Sequence, residues 1–295
     1  MPRISDEFLG SVAYIYPSVA TAKRGEHIGG SALLAACRLS DESPYAQLYV
    51  ITNRHVIEDL NSRTIAIRFN SADGKTNVIQ TASSVWIKSF GDDLAVLPID
   101  LSNSDCKGTV IPDSIFLTEN LVGLYDIGPG DETFMVGRLI THDGKQQNTP
   151  LVRFGNISMM PLEPIHSKDG DQIAFLVECR SLSGFSGSPV FVWIPAGSWR
   201  PTHQPFERLH GPWLLGINCG HITLPEKIRS LSSGKQISVE EHSAIEVVVP
   251  AWKLQELLNQ ESLKQGRLKL EKEIENKEKR GFVAYDSIFD RLEPS

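Results

Sequence analysis

Residues 183–191 read SGFSGSPVF, and the reading of the whole chain turns on them. Ser186 stands between Phe185 and Gly187, with Gly184 just upstream and the apolar run PVFVWI directly behind. A connecting loop does not need a serine framed in this way, but a nucleophile does. A serine hydroxyl is weakly nucleophilic at neutral pH. It needs a base to take its proton and donors to hold the oxyanion that forms. Gly184 has no side chain to block a substrate carbonyl and reaches backbone angles closed to other residues. The N–H groups of Gly184 and Ser186 can therefore converge on one point as an oxyanion hole.

The base has to come from elsewhere in the chain. YVITNRHVIEDL (49–60) places His55 at the end of an apolar strand, and GDDLAVLPID (91–100) places Asp92 and Asp93 at the start of another. A carboxylate beside an imidazole fixes its tautomer and stabilises the imidazolium formed in catalysis. The order along the chain is His, Asp, Ser.

Around these blocks most of the sequence reads as β. SVAYIYPS, GGSALLAACRLS, AQLYVITN, TIAIRFN, NVIQTASSVWI and DDLAVLPID form a first series, separated by turn residues. In TIAIRFN, Ile65, Ile67 and Phe69 alternate onto one face. A less regular connection over residues 101–128 follows. A second series then reads ETFMVGRLI, PLVRFGNISMM, QIAFLVECR, SPVFVWI, PWLLGIN and AIEVVVP. Two long loops, 195–211 and 221–241, interrupt it, and loops of that length in a compact domain are commonly functional or disordered. The period changes after Pro250. Leu254, Leu257 and Leu258 fall at helical spacing, and a charged stretch continues with the pairs Glu273–Lys277 and Glu275–Lys279. This tail reads as a solvated helix or, alternatively, as a partner-binding one.

Three blocks in this order, ITNRHVI, DDLAVLPI and GFSGSPVF, resemble the catalytic blocks of trypsin-like (chymotrypsin-fold) serine proteases. The nearest branches are the bacterial HtrA-like and glutamyl-endopeptidase-like ones. GGSALLA resembles the strand before the His block, GDETFMVGR the entry to the second barrel, LLGINCG the strand along the substrate pocket, and IEVVVPAWKLQELL the final strand and helix. The resemblance covers roughly residues 10 to 260. It implies an all-β fold of two six-stranded antiparallel β-barrels with a C-terminal helix. The expected division is 1–118 for the barrel carrying His and Asp, 119–250 for the barrel carrying Ser, and 251–295 for the helix and charged tail.

What the resemblance implies for chemistry is a serine endopeptidase working through an acyl-enzyme. His55 is the general base, Asp93 rather than Asp92 its orienting partner, Ser186 the nucleophile, and Gly184 and Ser186 the oxyanion donors. Where the digestive enzymes carry an Asp before the nucleophile, this chain has Phe185, which speaks against activation by an N-terminal cut. The residue six before the nucleophile, an Asp in trypsin-type pockets, is Arg180. Glutamyl endopeptidases place a His where this chain has Asn218. Poor cleavage after Lys or Arg is therefore expected, with a polar, acidic or small apolar residue preferred. No PDZ domain is expected after the final helix. The alternative reading is a catalytically silent trypsin-fold protein that binds a partner through residues 251–295 and the loop at 195–211.

Composition narrows the other classes. The 295 residues are 41% hydrophobic and 22% charged with a net charge of −7. That balance disfavours a nucleic-acid partner, since phosphate binding needs clustered Lys and Arg. No run of 18 apolar residues is present, and the N-terminus lacks an apolar signal core, so no membrane association and a cytoplasmic location are expected. Cys37, Cys106, Cys179 and Cys219 are scattered without a CxxC pair, which points to no zinc site and to reduced thiols, with a Cys179–Cys219 bridge as the alternative. The Cys219–His221 spacing alone makes no metal site, and no nucleotide-binding glycine motif occurs. The expected partner is a protein or peptide substrate, with no cofactor.

Overall fold

In the computed structural model the described residues are 3–26, 28–71, 73–101, 109–142, 144–167, 170–179, 184–200, 210–229 and 236–276. The first unit opens with two short helices, α1 (Asp6–Gly10) and α2 (Val19–Arg24), on either side of β1 (Val12–Tyr16). Neither helix has the length for an apolar period. α2 instead forms because Ser18 and Thr21 close a reciprocal capping box and Gly25 ends it at φ 64°. The strands β2 (Gly30–Arg38), β3 (Ala46–Thr52), β4 (Thr64–Asn70), β5 (Thr76–Ala82), β6 (Ile87–Lys88), β7 (Ala95–Ile99) and β8 (Ile111–Pro112) follow, with α3 (Arg54–Asp59) after β3. They form one curled sheet in the order β5-β4-β1-β2-β3-β7-β6, with β8 parallel to β2.

The expected alternation in β4 holds. Ile65, Ile67 and Phe69 pack with Ala32, Leu34, Val50 and Val56 inside the first unit. Its other face is buried too. Ala66 joins the cluster between the units, and Arg68 is buried as well. A buried guanidinium requires partners. Arg68 has Asn148 Oδ1 at 2.6 Å, the Gly144 carbonyl at 2.8 Å and the Ala22 carbonyl at 3.0 Å. It lies over the rings of Tyr14 and Tyr16, as does buried Arg138 from the second unit. Arg138 in turn donates to the carbonyls of Glu26 and Ile28 at 2.6 and 2.7 Å. The two arginines stitch the units together through backbone carbonyls.

After α4 (Glu119–Leu124), capped by Thr118, comes the second unit. Its strands are β9 (Glu132–Gly137), β10 (Leu151–Met159), a small hairpin β11 (Ile165–Ser167) and β12 (Gly170–Gln172), β13 (Phe175–Glu178), β14 (Pro189–Ile194), β15 (His210–Arg229) and β16 (Gln236–Pro250). Six of them close into a barrel, β10-β13-β16-β15-β14-β9, around Met135, Phe175, Val177, Val190, Val192, Leu215 and Val248. The molecule is thus a closed six-stranded barrel beside a curled sheet of eight strands, the trypsin-like double-barrel plan with only the second barrel fully closed. The sequence of residues 221–241 reads as a loop, yet β15 and β16 stay paired from Gly216–Pro250 out to Arg229–Gln236. The pairing carries Pro225 within the strand, opposite Glu240, and residues 230–235 lie outside the described residues.

Two helices complete the fold, α5 (Ala251–Leu258) and α6 (Glu261–Asn276). α5 buries Leu254, Leu257 and Leu258 as the helical spacing implied. α6 is not solvated all round. Leu263 enters the cluster that holds Cys37 and Tyr49, Ile274 is buried, and Ser40 donates to Glu271 at 2.7 Å. Arg267, also buried, reaches the Tyr49 hydroxyl at 3.2 Å, the Leu258 carbonyl at 2.8 Å and Asn259 Oδ1 at 3.2 Å. One face of the charged helix is occupied by the first unit of its own chain. Lys277 and Lys279 lie outside the described residues.

Candidate active site

His55 is the second residue of α3, and its N–H is one of the orphan donors that begin any helix. The residue in the N-cap place, Asn53, does not cap. Its amide donates instead to the backbone carbonyl of Asp93 at 2.9 Å. The Asp93 carboxylate takes over the capping: Oδ1 accepts the His55 N–H at 2.9 Å while Oδ2 meets His55 Nδ1 at 2.6 Å. One carboxylate thus fixes both the backbone and the ring of the same histidine. Asp93 is only 2% exposed and His55 is 21% exposed, so the pair has a dry end at the carboxylate and an open end at the imidazole. Asp93 makes these contacts and Asp92 does not. Asp92 turns away to Ser89, and burial pushes its carboxyl pKa upward, opposed first by the charge of Lys253.

Gly30 is where the histidine helix and the serine turn meet. A Cβ on Gly30 would lie 2.8 Å from the Ser186 carbonyl oxygen and 3.0 Å from a methyl of Val56, the residue after His55. Ser186 and Gly184 are partly exposed, whereas Phe185 between them is buried. The Phe185 ring fills the second barrel against Gly137, where any Cβ would collide with the ring and with Ser188 Oγ. The residue that replaces the digestive enzymes' Asp is therefore an apolar anchor. Gly184 and Gly187 have φ of +100° and +84°, the region that glycine enters without strain. At Gly187 a Cβ would also overlap the Ser31 carbonyl and Thr52 Oγ1. Both glycines are thus required by the turn's backbone.

Of the residues named for the pocket, Asn218 is buried. Its amide donates to the Phe185 carbonyl at 3.3 Å and its oxygen faces the Gly220 N–H at 3.5 Å. Arg180 lies outside the described residues. Sequence reasoning passed over Ser31, Thr52 and Asn53, all fully buried and hydrogen-bonded around the His55 and Ser186 segments. Nothing in their residue type marks them, because Ser, Thr and Asn in short polar runs ordinarily serve turns. It also passed over Glu246 of β16, a carboxylate 1% exposed. Its charge, after burial itself, pushes the neighbouring Cys179 thiol up to about 12, with Arg153 opposing. Cys37, Cys179 and Cys219 are not joined in disulfides, so the structure has no Cys179–Cys219 bridge. Among the described residues no His, Cys, Asp and Glu side chains group in a way that could hold a metal ion. Nor is any helix there long and apolar enough to cross a membrane.

Strand order, the closed second barrel and the position of the turn between the units give a trypsin-like fold. No family model matches the chain, and no curated protein matches it. Among solved structures it is similar to the protease domain of MamO from Magnetospirillum magneticum in its apo form. The identity is 16% and the TM-score 0.47, over 85% of this chain and 96% of that one. It is also similar to an inactive form of the Rv3671c protease from M. tuberculosis H37Rv, at 13% identity and a TM-score of 0.44, over 85% and 88% of the two chains.

Proposed function

We propose that the protein is a serine endopeptidase that cleaves peptide bonds through an acyl-enzyme, with His55 as base, Asp93 as its orienting partner and Ser186 as nucleophile. The observation that carries the reading is the two-point grip of buried Asp93 on His55. A carboxylate at 2.6 Å from Nδ1 keeps the proton on that nitrogen and leaves Nε2 as the acceptor for a serine proton. As Ser186 Oγ attacks the substrate carbonyl, its proton passes to Nε2 and the imidazolium is held by Asp93. The tetrahedral oxyanion is met by the N–H groups of Gly184 and Ser186. The imidazolium then gives its proton to the leaving amine, and water hydrolyses the ester by the same steps in reverse roles. This chemistry uses side chains and backbone alone.

Substrates are proteins or peptides in extended form. The acyl-side preference is proposed to exclude Lys and Arg, on the strength of Arg180 in the sequence. The division into a His and Asp unit, a Ser unit and a helical tail belongs to the same proposal.

Labelling with a fluorophosphonate tests it. Ser186 is expected to be modified in the folded protein and Ser186→Ala to remain unlabelled, with the site read by peptide mass spectrometry. A folded wild-type chain left unlabelled would favour the silent, partner-binding reading.

A further inference from the structure

The turn that carries Ser186 is neither strand nor helix. Its direction comes from hydrogen bonds outside any regular ladder, and one of the side chains making them reaches across from the other unit. Ser31, next to the start of β2, is fully buried. Its Oγ donates to the Gly184 carbonyl at 2.8 Å and accepts from the Arg138 N–H at 2.9 Å. Its own N–H donates to the Ser186 carbonyl at 2.8 Å, and its carbonyl accepts from Thr52 Oγ1 at 2.7 Å. A hydroxyl has one proton to give. With the Arg138 N–H already pointing at the oxygen, that proton is committed to Gly184.

We propose that Ser31 is a positioning residue that aims the Ser186 oxyanion donor from across the interface between the two units, with Asn218 as its counterpart inside the second barrel. The inference rests on the serine endopeptidase reading above. Its physical basis is the planarity of the peptide group, in which a carbonyl and the following N–H point in opposite directions. The Phe185 carbonyl and the Ser186 N–H are one such group. That carbonyl accepts from the Ser188 N–H at 3.0 Å and from Asn218 Nδ2 at 3.3 Å. The Ser186 N–H is thereby turned away from both donors. The Gly184 carbonyl belongs to the preceding plane, and Ser31 holds it. That plane carries the Phe185 N–H, and Gly184 at φ +100° rotates with little steric resistance, so holding it fixes the start of the Phe185–Ser186 peptide that bears the Ser186 N–H. Ser31 also grips the carbonyl of Ser186 itself, which brackets the turn on both sides.

The test compares wild type with Ser31→Ala, Ser31→Cys and Asn218→Ala. Rates are normalised to active sites titrated with a burst substrate, and Ki is measured for a peptidyl trifluoromethyl ketone, whose adduct on serine carries an oxyanion. Loss of one well-aimed oxyanion donor costs about a hundredfold or more, so loss of aim alone is expected to lower per-site kcat about tenfold in each alanine variant. KM should stay within about twofold, and inhibitor affinity should fall in step with kcat/KM. Ser31→Cys, a weaker donor of similar size, should fall between wild type and Ser31→Ala, and it decides the matter if the alanine variant does not fold. A Ser31 variant that loses titratable sites but keeps its per-site kcat would overturn the proposal, because that is what a purely structural serine does. Unchanged inhibitor affinity would overturn it as well. A wild-type chain with neither turnover nor fluorophosphonate labelling overturns the endopeptidase reading, and this inference with it.

Discussion

Replacing Asp93 by Asn asks the most of the proposed mechanism, because the two side chains have the same shape and differ in one atom. The carboxylate accepts two bonds, from the His55 backbone N–H at 2.9 Å and from the imidazole at 2.6 Å. An amide has only one oxygen. The backbone N–H cannot become an acceptor, so the amide oxygen has to stay on it. The amide NH2 is then left facing Nδ1. The imidazole satisfies that donor only by moving its own proton to Nε2. In that tautomer Nε2 cannot take the Ser186 proton. A wrong-tautomer change of this kind lowers kcat by roughly four orders of magnitude. At 1.36 kcal/mol per factor of ten, that is about 5.5 kcal/mol of lost transition-state stabilisation. Stability should hardly move, since both contacts stay hydrogen-bonded after the switch and the net change is within about 1 kcal/mol. The assay is kcat on a peptide ester, beside a urea melt of the same preparation. A well-folded Asp93→Asn protein turning over within about tenfold of wild type would refute the argument. A protein that simply unfolds would show instead that the carboxylate's helix-capping contact dominates.

Two further outcomes follow from the packing. Gly187→Ala puts a Cβ into the Ser31 carbonyl and Thr52 Oγ1 at a positive φ, so it should cost about 2–4 kcal/mol and shift the urea midpoint down; an unchanged midpoint would mean the turn relocates freely. Arg267→Ala removes three hydrogen bonds that tie α6 to Tyr49 and to the end of α5. Its expected cost is roughly 2–4 kcal/mol, with faster amide exchange along α6 read by mass spectrometry, and wild-type protection of that helix would contradict the docking described above.

How much of this was legible beforehand differs by element. The β content, the alternation in β4 and the apolar face of α5 follow from period alone, because a half-buried strand or helix writes its buried face into the sequence every second or every third to fourth residue. The glycines of GFSGS were legible for a related reason: at a positive φ with backbone crowding, few other residues fit. α2 and α4 were not read, since at six residues each is made by its cap rather than by a repeating face. The pairing of Thr223–Arg229 with Gln236–His242 is not legible locally, because strand pairing is a contact between separate segments and a single segment carries only its own propensity.

The site divides in the same way. Sequence order and local frame put His55, the Asp92–Asp93 pair and Ser186 forward as chemical groups, since each sits in a short stretch with its own signature. The choice of Asp93 rested on the family resemblance. Tertiary structure decided what those stretches could not. It gave Asp93 rather than Asp92 the hold on His55, because only one of two adjacent side chains can face inward. It turned the buried face of the charged tail helix onto the first unit through Arg267. It also made Ser31 a brace for residues more than 150 positions away, 153 for its bond to Gly184. A serine in a polar run is chemically unremarkable until the fold brings a carbonyl to its hydroxyl. That meeting depends on two units packing together, and no local pattern in either unit encodes it.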